Sequence, residues 1–126
     1  VIKYKKYDGE YIGDFSEGMA YVCKCYQVEG VGSTIGYKFC YINKSGKEVV
    51  KCKYDEASAF SEGLARVSNK NYKYGYINKN GKEVVKCKYD YATDFSEGRA
   101  LAKKDGKWFL LSIVKKWDFW WMWSFA

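Results

Sequence analysis

The chain has 126 residues, of which 48% are hydrophobic and 20% aromatic, and its 22 Lys and Arg outweigh 15 Asp and Glu to give a formal charge of +7. This length fits one domain and excludes two ordinary ones, while the aromatic content favours β-structure and argues against a disordered chain. The charge allows nucleic acid, an anionic membrane or an acidic protein as partner, without choosing among them.

The cysteine content gives little support for a metal site. The chain has five Cys and no His, which excludes zinc sites that mix the two, and it has no Cys-x-x-Cys pair. Cys23 and Cys25 are two residues apart, which is a weak metal signal. We therefore expect no metal and no cofactor, and we interpret the cysteines as half-buried thiols in a reducing cytoplasm. Residues 1–6 lack the apolar stretch of a signal peptide, and without an initiator Met the N-terminus is expected to be truncated.

Near-copies of one unit follow each other along the chain. Taking each Tyr-Asp pair as a start, we predict the end of a preceding repeat at 1–6, repeat 1 at 7–53, repeat 2 at 54–88, a partial repeat 3 at 89–111, and an aromatic tail at 112–126. Phe-Ser-Glu-Gly recurs at 15–18, 60–63 and 95–98. A repeat of this period indicates that neighbouring units bury one another's apolar faces.

Each unit is predicted to be a three-stranded meander. One strand follows Phe-Ser-Glu-Gly, and the alternating rings of Tyr74 and Tyr76 predict a second. An Asn-Lys-Asn-Gly turn with a left-handed Gly81 then leads into a returning strand at 82–87. Helix is expected only as a single turn around Tyr-Asp-x-Ala. The predicted fold class is all-β, with tandem meander repeats forming an open solenoid-like or propeller-like array.

These motifs carry a family resemblance. The resemblance rests on the pattern Tyr-Asp-x-Ala-x-x-Phe-Ser-Glu-Gly-x-Ala, followed by Lys-aromatic-Gly-Tyr-Ile-Asn and Asn-Gly-Lys-Glu-Val-Val. Over about residues 7–111 the chain resembles the WG-repeat (KWG-type) family of bacterial β-rich repeats. The Trp-Gly pair that names the family is replaced at three places, Phe39-Cys40, Tyr74-Gly75 and Trp108-Phe109. The resemblance implies a non-catalytic scaffold that is usually part of a longer array.

The recurring carboxylates do not indicate an enzyme. Glu17, Glu62 and Glu97 occupy the same place in each unit, whereas catalysis needs one asymmetric site. We interpret each Glu as part of the turn before a strand, and the Asp of each Tyr-Asp pair as a turn residue that accepts backbone hydrogen bonds. A cysteine nucleophile would have no imidazole to deprotonate it. We therefore expect no catalytic residue.

Candidate binding residues come from three regions. The insertion at 23–36 breaks the repeat, as binding loops often do, but it is equally consistent with a passive excursion. Lysine rows at 47, 51 and 53 and at 82, 86 and 88 suit a polyanion or simply a solvated strand face. The tail is interrupted by Lys115, Lys116 and Asp118, which excludes a membrane-spanning reading. Self-packing or oligomer contact, a membrane interface and a non-native terminus stay open. The candidate residues are Tyr26, Gln27, Val28, Thr34, Ile35, Lys51, Lys86, Trp120 and Trp121.

The sequence thus predicts an interaction scaffold that binds a protein or other ligand through loops on one face. The alternative is binding of nucleic acid or a membrane surface through the lysine rows and the Trp-rich tail. Contact with further repeats, or self-association, is also expected.

Overall fold

The computed structural model describes residues 12–27 and 35–114, and for residues 25–27 and 35 it describes the backbone alone. This part of the chain contains strands and no helix, and so no helix there is long and apolar enough to cross a membrane. The strands are β1 (Met19–Gln27), β2 (Ile35–Asn43), β3 (Glu48–Tyr54), β4 (Glu56–Ala57), β5 (Leu64–Ser68), β6 (Tyr74–Asn78), β7 (Glu83–Tyr89), β8 (Tyr91–Ala92), β9 (Arg99–Lys104) and β10 (Lys107–Ser112). The all-β prediction is confirmed.

The strands form three small antiparallel sheets that follow one another along the chain. Their strand orders are β1-β2-β3, β4-β5-β6-β7 and β8-β9-β10. The predicted meander is present in the second sheet as β5-β6-β7, with the two-residue β4 added at its edge. A solenoid-like or propeller-like arrangement of the three sheets stays a prediction.

The prediction of a helical turn at Tyr-Asp-x-Ala is wrong in the second and third units, where the structure describes this segment. In the second unit this segment is the short strand β4, where Ala57 pairs with Val67. The backbone N–H of Asp55 donates to the carbonyl of Ser68 at 3.0 Å. These hydrogen bonds to the neighbouring strand satisfy backbone groups that a helical turn would have to satisfy internally, and they keep the segment extended. The segment in the third unit forms β8 in the same way.

The insertion in the first unit is partly strand. β1 and β2 pair continuously from Met19 opposite Asn43 to Gln27 opposite Ile35, and both are nine residues long. The predicted loop from 23 to 36 is therefore too long, because residues 23–27 and 35–36 continue the antiparallel ladder. The remaining residues, 28–34, lie outside the described part of the chain.

The hairpin turns have the predicted left-handed glycine. Gly81 has φ of +82° and Gly46 has φ of +80°. The side-chain oxygen of Asn78 accepts hydrogen bonds from the backbone N–H groups of Asn80 and Lys82, each at 3.0 Å. The asparagine thus holds the loop from inside, and the glycine supplies the positive φ that closes it.

Buried rings join neighbouring units. Tyr41 of β2 packs edge-on against Phe60 of the next unit, with ring centroids 4.9 Å apart, and its hydroxyl donates to the carbonyl of Ser58 at 2.6 Å. Tyr76 repeats this contact on Phe95, with centroids 4.8 Å apart. All four rings are buried. The prediction that the units hide one another's rings is confirmed at both junctions.

Candidate functional site

Five rings contributed by all three units remain partly or largely exposed, and we call them the aromatic row. They are Tyr21, Phe39, Tyr74, Tyr91 and Trp108. Ring centroids are 5.7 Å apart for Tyr21 and Phe39, 6.5 Å for Tyr74 and Tyr91, and 5.9 Å for Tyr91 and Trp108, all in edge-on geometry. The row is most open in the third unit, where Tyr91 is 52% and Trp108 53% exposed.

Strand periodicity places these rings beside the core. Phe39 and Tyr74 each lie two residues before a buried tyrosine, and side chains two apart share one face of a strand. Tyr91 belongs to the two-residue β8, where it pairs with Lys103 of β9. Tyr21, Phe39 and Tyr74 are partly buried and pack against the core clusters, whereas Tyr91 and Trp108 are exposed.

A groove interrupts the row between the first and second units. It has a volume of about 270 Å³ and is lined by Tyr21, Phe39, Glu56, Ala57, Arg66 and Tyr74. The Arg66 guanidinium lies 5.6 Å from the centroid of the Tyr74 ring. Its Nη1 donates to the carbonyl of Ala92 at 2.9 Å and lies 3.7 Å from a carboxylate oxygen of Asp94. These contacts to the third unit fix the guanidinium over the ring, a cation–π arrangement.

The polar groups of the groove are paired. The Tyr74 hydroxyl donates to the Glu56 carboxylate. This hydrogen bond raises the pKa of Tyr74, and burial of the ring raises it further. Further along the row, the Lys103 ammonium lies 5.7 Å from the Trp108 ring. The row thus offers ring faces with paired charges between them, which suits apolar or planar groups of an extended polypeptide.

The recurring carboxylates hold one unit to the next. The Glu17 carboxylate accepts hydrogen bonds from the backbone N–H groups of Glu62 at 2.6 Å and Gly63 at 2.7 Å. The Glu62 carboxylate accepts from the N–H of Gly98 at 2.9 Å. The interpretation of these glutamates as turn residues is confirmed, and their carboxylates also connect neighbouring units, which was not predicted. We call this series of contacts the turn ladder.

Serine and glycine complete each step of the turn ladder. Ser16 Oγ donates to the carbonyl of Phe60 at 2.7 Å, and Ser61 Oγ donates to the carbonyl of Phe95 at 2.8 Å. Each Glu of the motif has positive φ, between 53° and 54°, and the following Gly has φ between 75° and 81°. Two successive left-handed residues form a tight turn whose N–H groups point outward, toward the carboxylate of the preceding unit.

The candidate binding residues named from sequence lie on four strands or outside the described residues. Tyr26 and Gln27 belong to β1 and Ile35 to β2, with only their backbone described. Lys51 and Lys86 are exposed on β3 and β7. Four candidates lie outside the described residues, namely Val28, Thr34, Trp120 and Trp121. All nine stay predictions.

Most of the aromatic row was not predicted, because apolar faces that neighbouring repeat units bury are expected to include the rings of the repeat. One signal was available for Tyr91, which occupies the variable position of Tyr-Asp-x-Ala, where Glu56 stands in the preceding unit. A site that accepts glutamate in one unit is solvated, so an aromatic ring there is exposed.

The lysine rows are exposed in both units, at Lys47, Lys51, Lys53, Lys82, Lys86 and Lys88. Lys53 and Lys88 lie 5.4 Å and 5.5 Å from the rings of Tyr54 and Tyr89. Lys51 and Lys53 also line a shallow groove of about 230 Å³ beside Gly81 of the next unit.

Comparison with known proteins gives one family. The model of the family described as WG containing repeat matches residues 1–24, 41–74 and 74–108. No curated protein and no solved structure matches the chain.

Proposed function

The chain belongs to the WG containing repeat family, and from this premise we propose that it is a non-catalytic β-repeat scaffold that binds an extended segment of a partner protein along the aromatic row. The observation that carries the proposal is that one row of rings, drawn from every unit, stays partly or largely exposed while the rings at the unit junctions are buried. Aromatic side chains dominate protein interfaces because they contribute large contact areas with few rotatable bonds.

The proposal extends the expectation of binding through loops on one face. Tyr37 of β2 is 36% exposed and lies two residues before Phe39, so it continues the row toward the inserted hairpin. The insertion and the aromatic row are then expected to serve one partner, with selectivity supplied by the insertion and most of the affinity by the row.

A peptide-selection experiment tests this function. Linear peptides displayed on phage are selected against the purified chain, and their affinities are measured by fluorescence anisotropy. We expect apolar or aromatic peptides to be recovered. Trp108→Ala should lower their affinity about tenfold, which corresponds to a loss of about 1.4 kcal/mol of binding free energy. The matched control is Tyr72→Ala, which removes an exposed ring outside the row (78% exposed) and should leave affinity unchanged. Recovery of no peptide, or equal binding by the Trp108 variant, contradicts the proposal.

A deletion variant distinguishes the contribution of the insertion to binding from that of the aromatic row. A variant that lacks residues 26–35 should retain binding of the selected peptides and lose only part of its preference among them. If the deletion abolishes binding while Trp108→Ala does not affect it, the contact belongs to the insertion and the row has no role.

The alternative function is binding of a polyanion, and the six exposed lysines in two equivalent rows favour it. The salt dependence of the affinity distinguishes polyanion binding from peptide binding along the aromatic row. Polyanion affinity falls steeply between about 50 and about 500 mM salt because counterions are released on binding, whereas a contact made by rings changes little. Anisotropy with a labelled oligonucleotide and with a selected peptide, at both salt concentrations, gives the answer. Lys51→Glu with Lys86→Glu should affect the oligonucleotide alone.

We also propose that further repeats or a second copy extend the array by the turn ladder. Ser96 and Glu97 repeat the residues that bind the following turn at the two junctions described above. Another Phe-Ser-Glu-Gly turn would offer them the same backbone groups.

A further inference from the structure

Two thiols and a carboxylate meet on one face of the first unit, away from the aromatic row. Cys40 Sγ, Cys52 Sγ and a carboxylate oxygen of Glu48 all lie within 4.8 Å of one another. Cys40 is buried, whereas Cys52 and Glu48 reach the surface. The cluster is therefore accessible from one side and lined by apolar side chains on the other, since Ala20, Val22 and Ile42 pack with Cys40.

This arrangement is specific to one unit. In the second unit Glu83 and Cys87 repeat Glu48 and Cys52, but Gly75 stands where the first unit has Cys40. A Cβ atom at Gly75 would lie 2.4 Å from the carbonyl oxygen of Val85, so that position accepts no side chain. Residues that recur in every unit maintain the fold, as the turn ladder shows. A thiol that replaces a glycine in one unit adds chemistry that the fold itself does not require.

The distance between Cys52 Sγ and Glu48 Oε1 is close to that in a tetrahedral metal site, and Cys40 Sγ lies within 4.8 Å of both atoms. Zinc lies about 2.3 Å from thiolate sulfur and about 2.1 Å from carboxylate oxygen, which places neighbouring ligand atoms about 3.6 to 3.8 Å apart. Cys52 Sγ lies 3.5 Å from Glu48 Oε1. Sulfur ligands favour soft or borderline cations over magnesium and calcium. We propose that Cys40, Cys52 and Glu48 form a three-ligand site for a thiophilic divalent cation, zinc or cadmium.

Charge balance supports the site. Glu48 Oε1 faces Cys52, while its Oε2 is paired with the Lys24 ammonium at 2.7 Å. One oxygen is thus available to a cation while lysine holds the other, the kind of outer contact that orients metal ligands. Two thiolates, one carboxylate, one divalent cation and one ammonium sum to zero charge, which suits a site with a buried wall.

Binding is coupled to proton release. Thiolate, not thiol, ligates a metal ion, so each of the two thiols gives its proton to solvent as the cation binds. Two released protons make affinity rise about a hundredfold for each pH unit below the thiol pKa values. A site built from carboxylates alone would show no such dependence near neutral pH.

The test is titration of the reduced chain with Cd²⁺, in a phosphine reductant that keeps thiols from pairing as a disulfide. Thiolate-to-cadmium charge-transfer absorption in the ultraviolet reports sulfur ligation, and calorimetry gives stoichiometry. We expect one Cd²⁺ per chain that is lost in Cys52→Ser and Cys40→Gly, and bound at least about tenfold more weakly by Glu48→Gln. Cys40→Gly copies the residue of the second unit and avoids placing a hydroxyl in a buried position.

The matched control is Cys87→Ser, because Cys87 has the same neighbours in the second unit but no second thiol. It should bind Cd²⁺ as the parent chain does. The circular dichroism spectrum and thermal midpoint of each variant show that it is folded, and Cd²⁺ should raise the midpoint of the parent chain and not that of Cys52→Ser. Unchanged Cd²⁺ binding in folded Cys52→Ser, or equal loss in Cys87→Ser, overturns the proposal.

Discussion

The carboxylate of Glu17 accepts hydrogen bonds from the backbone N–H of Glu62, which occupies the same position in the next repeat unit, at 2.6 Å. The side chain of one copy of the motif thus caps the backbone of the following copy. Because Glu62 makes the equivalent contact to Gly98, the Phe-Ser-Glu-Gly motif is both a turn and a connector between units.

The turn ladder predicts different costs for the same substitution at different steps. Glu17→Ala should lower the free energy of unfolding by about 1 kcal/mol, because two charge-assisted hydrogen bonds are lost and water replaces them in part. Glu97→Ala should change it by less than about 0.5 kcal/mol, since no hydrogen bond of the Glu97 carboxylate is present among the described residues. Urea denaturation measures both, and equal losses at the two positions contradict the connector role.

Tyr72 occupies a position that suits glycine. It has φ of +60°, and its N–H donates to the carbonyl of Asn69 at 3.0 Å, as Gly81 donates to Asn78 in the neighbouring hairpin. Tyr72→Gly should raise the free energy of unfolding by about 0.5 to 1 kcal/mol, because relief of left-handed strain exceeds the entropy that glycine adds to the unfolded chain. Thermal denaturation measures the change.

The control for Tyr72→Gly is a substitution that removes the glycine from the same position of the neighbouring hairpin. Gly81→Ala should lower stability by about 1 kcal/mol or more, since φ is +82° and the added Cβ would lie 3.2 Å from a methyl group of Val50. A loss of stability in Tyr72→Gly would show that the ring makes contacts that outweigh the strain.

The hydroxyl of Ser68 is buried, and it has no hydrogen-bond partner in the described residues. Ser68→Ala should raise the free energy of unfolding by about 1 kcal/mol, because an unsatisfied buried hydroxyl costs about 1 to 3 kcal/mol. Cys23 stands at the corresponding position of the first unit, so a residue without a strong donor already fits this place. Chemical denaturation measures this change in the free energy of unfolding. If Ser68→Ala instead destabilises the chain, a water molecule bonded to the Ser68 hydroxyl would be indicated.

Buried thiols predict alkaline sensitivity. Burial raises the pKa of Cys87 to about 12, above its value of about 8.5 in an unfolded chain. The folded state holds the proton more tightly, so this contribution to stability is present below about pH 8.5 and is lost as the pH rises toward 12. Cys87→Ala should therefore show a shallower fall in the free energy of unfolding between about pH 9 and 11. Parallel curves for the two proteins would exclude this linkage.

Much of the fold follows from local chemistry that the sequence displays. Asn78 and Gly81 encode the hairpin turn through a side-chain hydrogen bond and a positive φ. The alternation of Tyr74 and Tyr76 encodes a strand with one face toward the core. Because the turn signal and the strand alternation recur at the same spacing in successive units, each unit supports the prediction made for the others.

The unpredicted features depend on contacts between distant residues. Glu17 and Glu62 are 45 residues apart, and their contact follows from how the units face each other, which no local pattern encodes. Cys40 meets Cys52 because irregular pairing of β2 with β3 places Phe39 opposite Tyr54 and Tyr41 opposite Val50. Simple alternation cannot anticipate such a bulge.

The most direct test of the turn ladder is amide hydrogen exchange at Gly63 and Gly98, measured by NMR in the parent chain and in Glu17→Ala. The structure predicts that both amides are protected in the parent chain and that the substitution speeds exchange at Gly63 about tenfold or more while leaving Gly98 within about twofold. Unchanged exchange at Gly63 would contradict the claim that each unit is held by the carboxylate of the one before it.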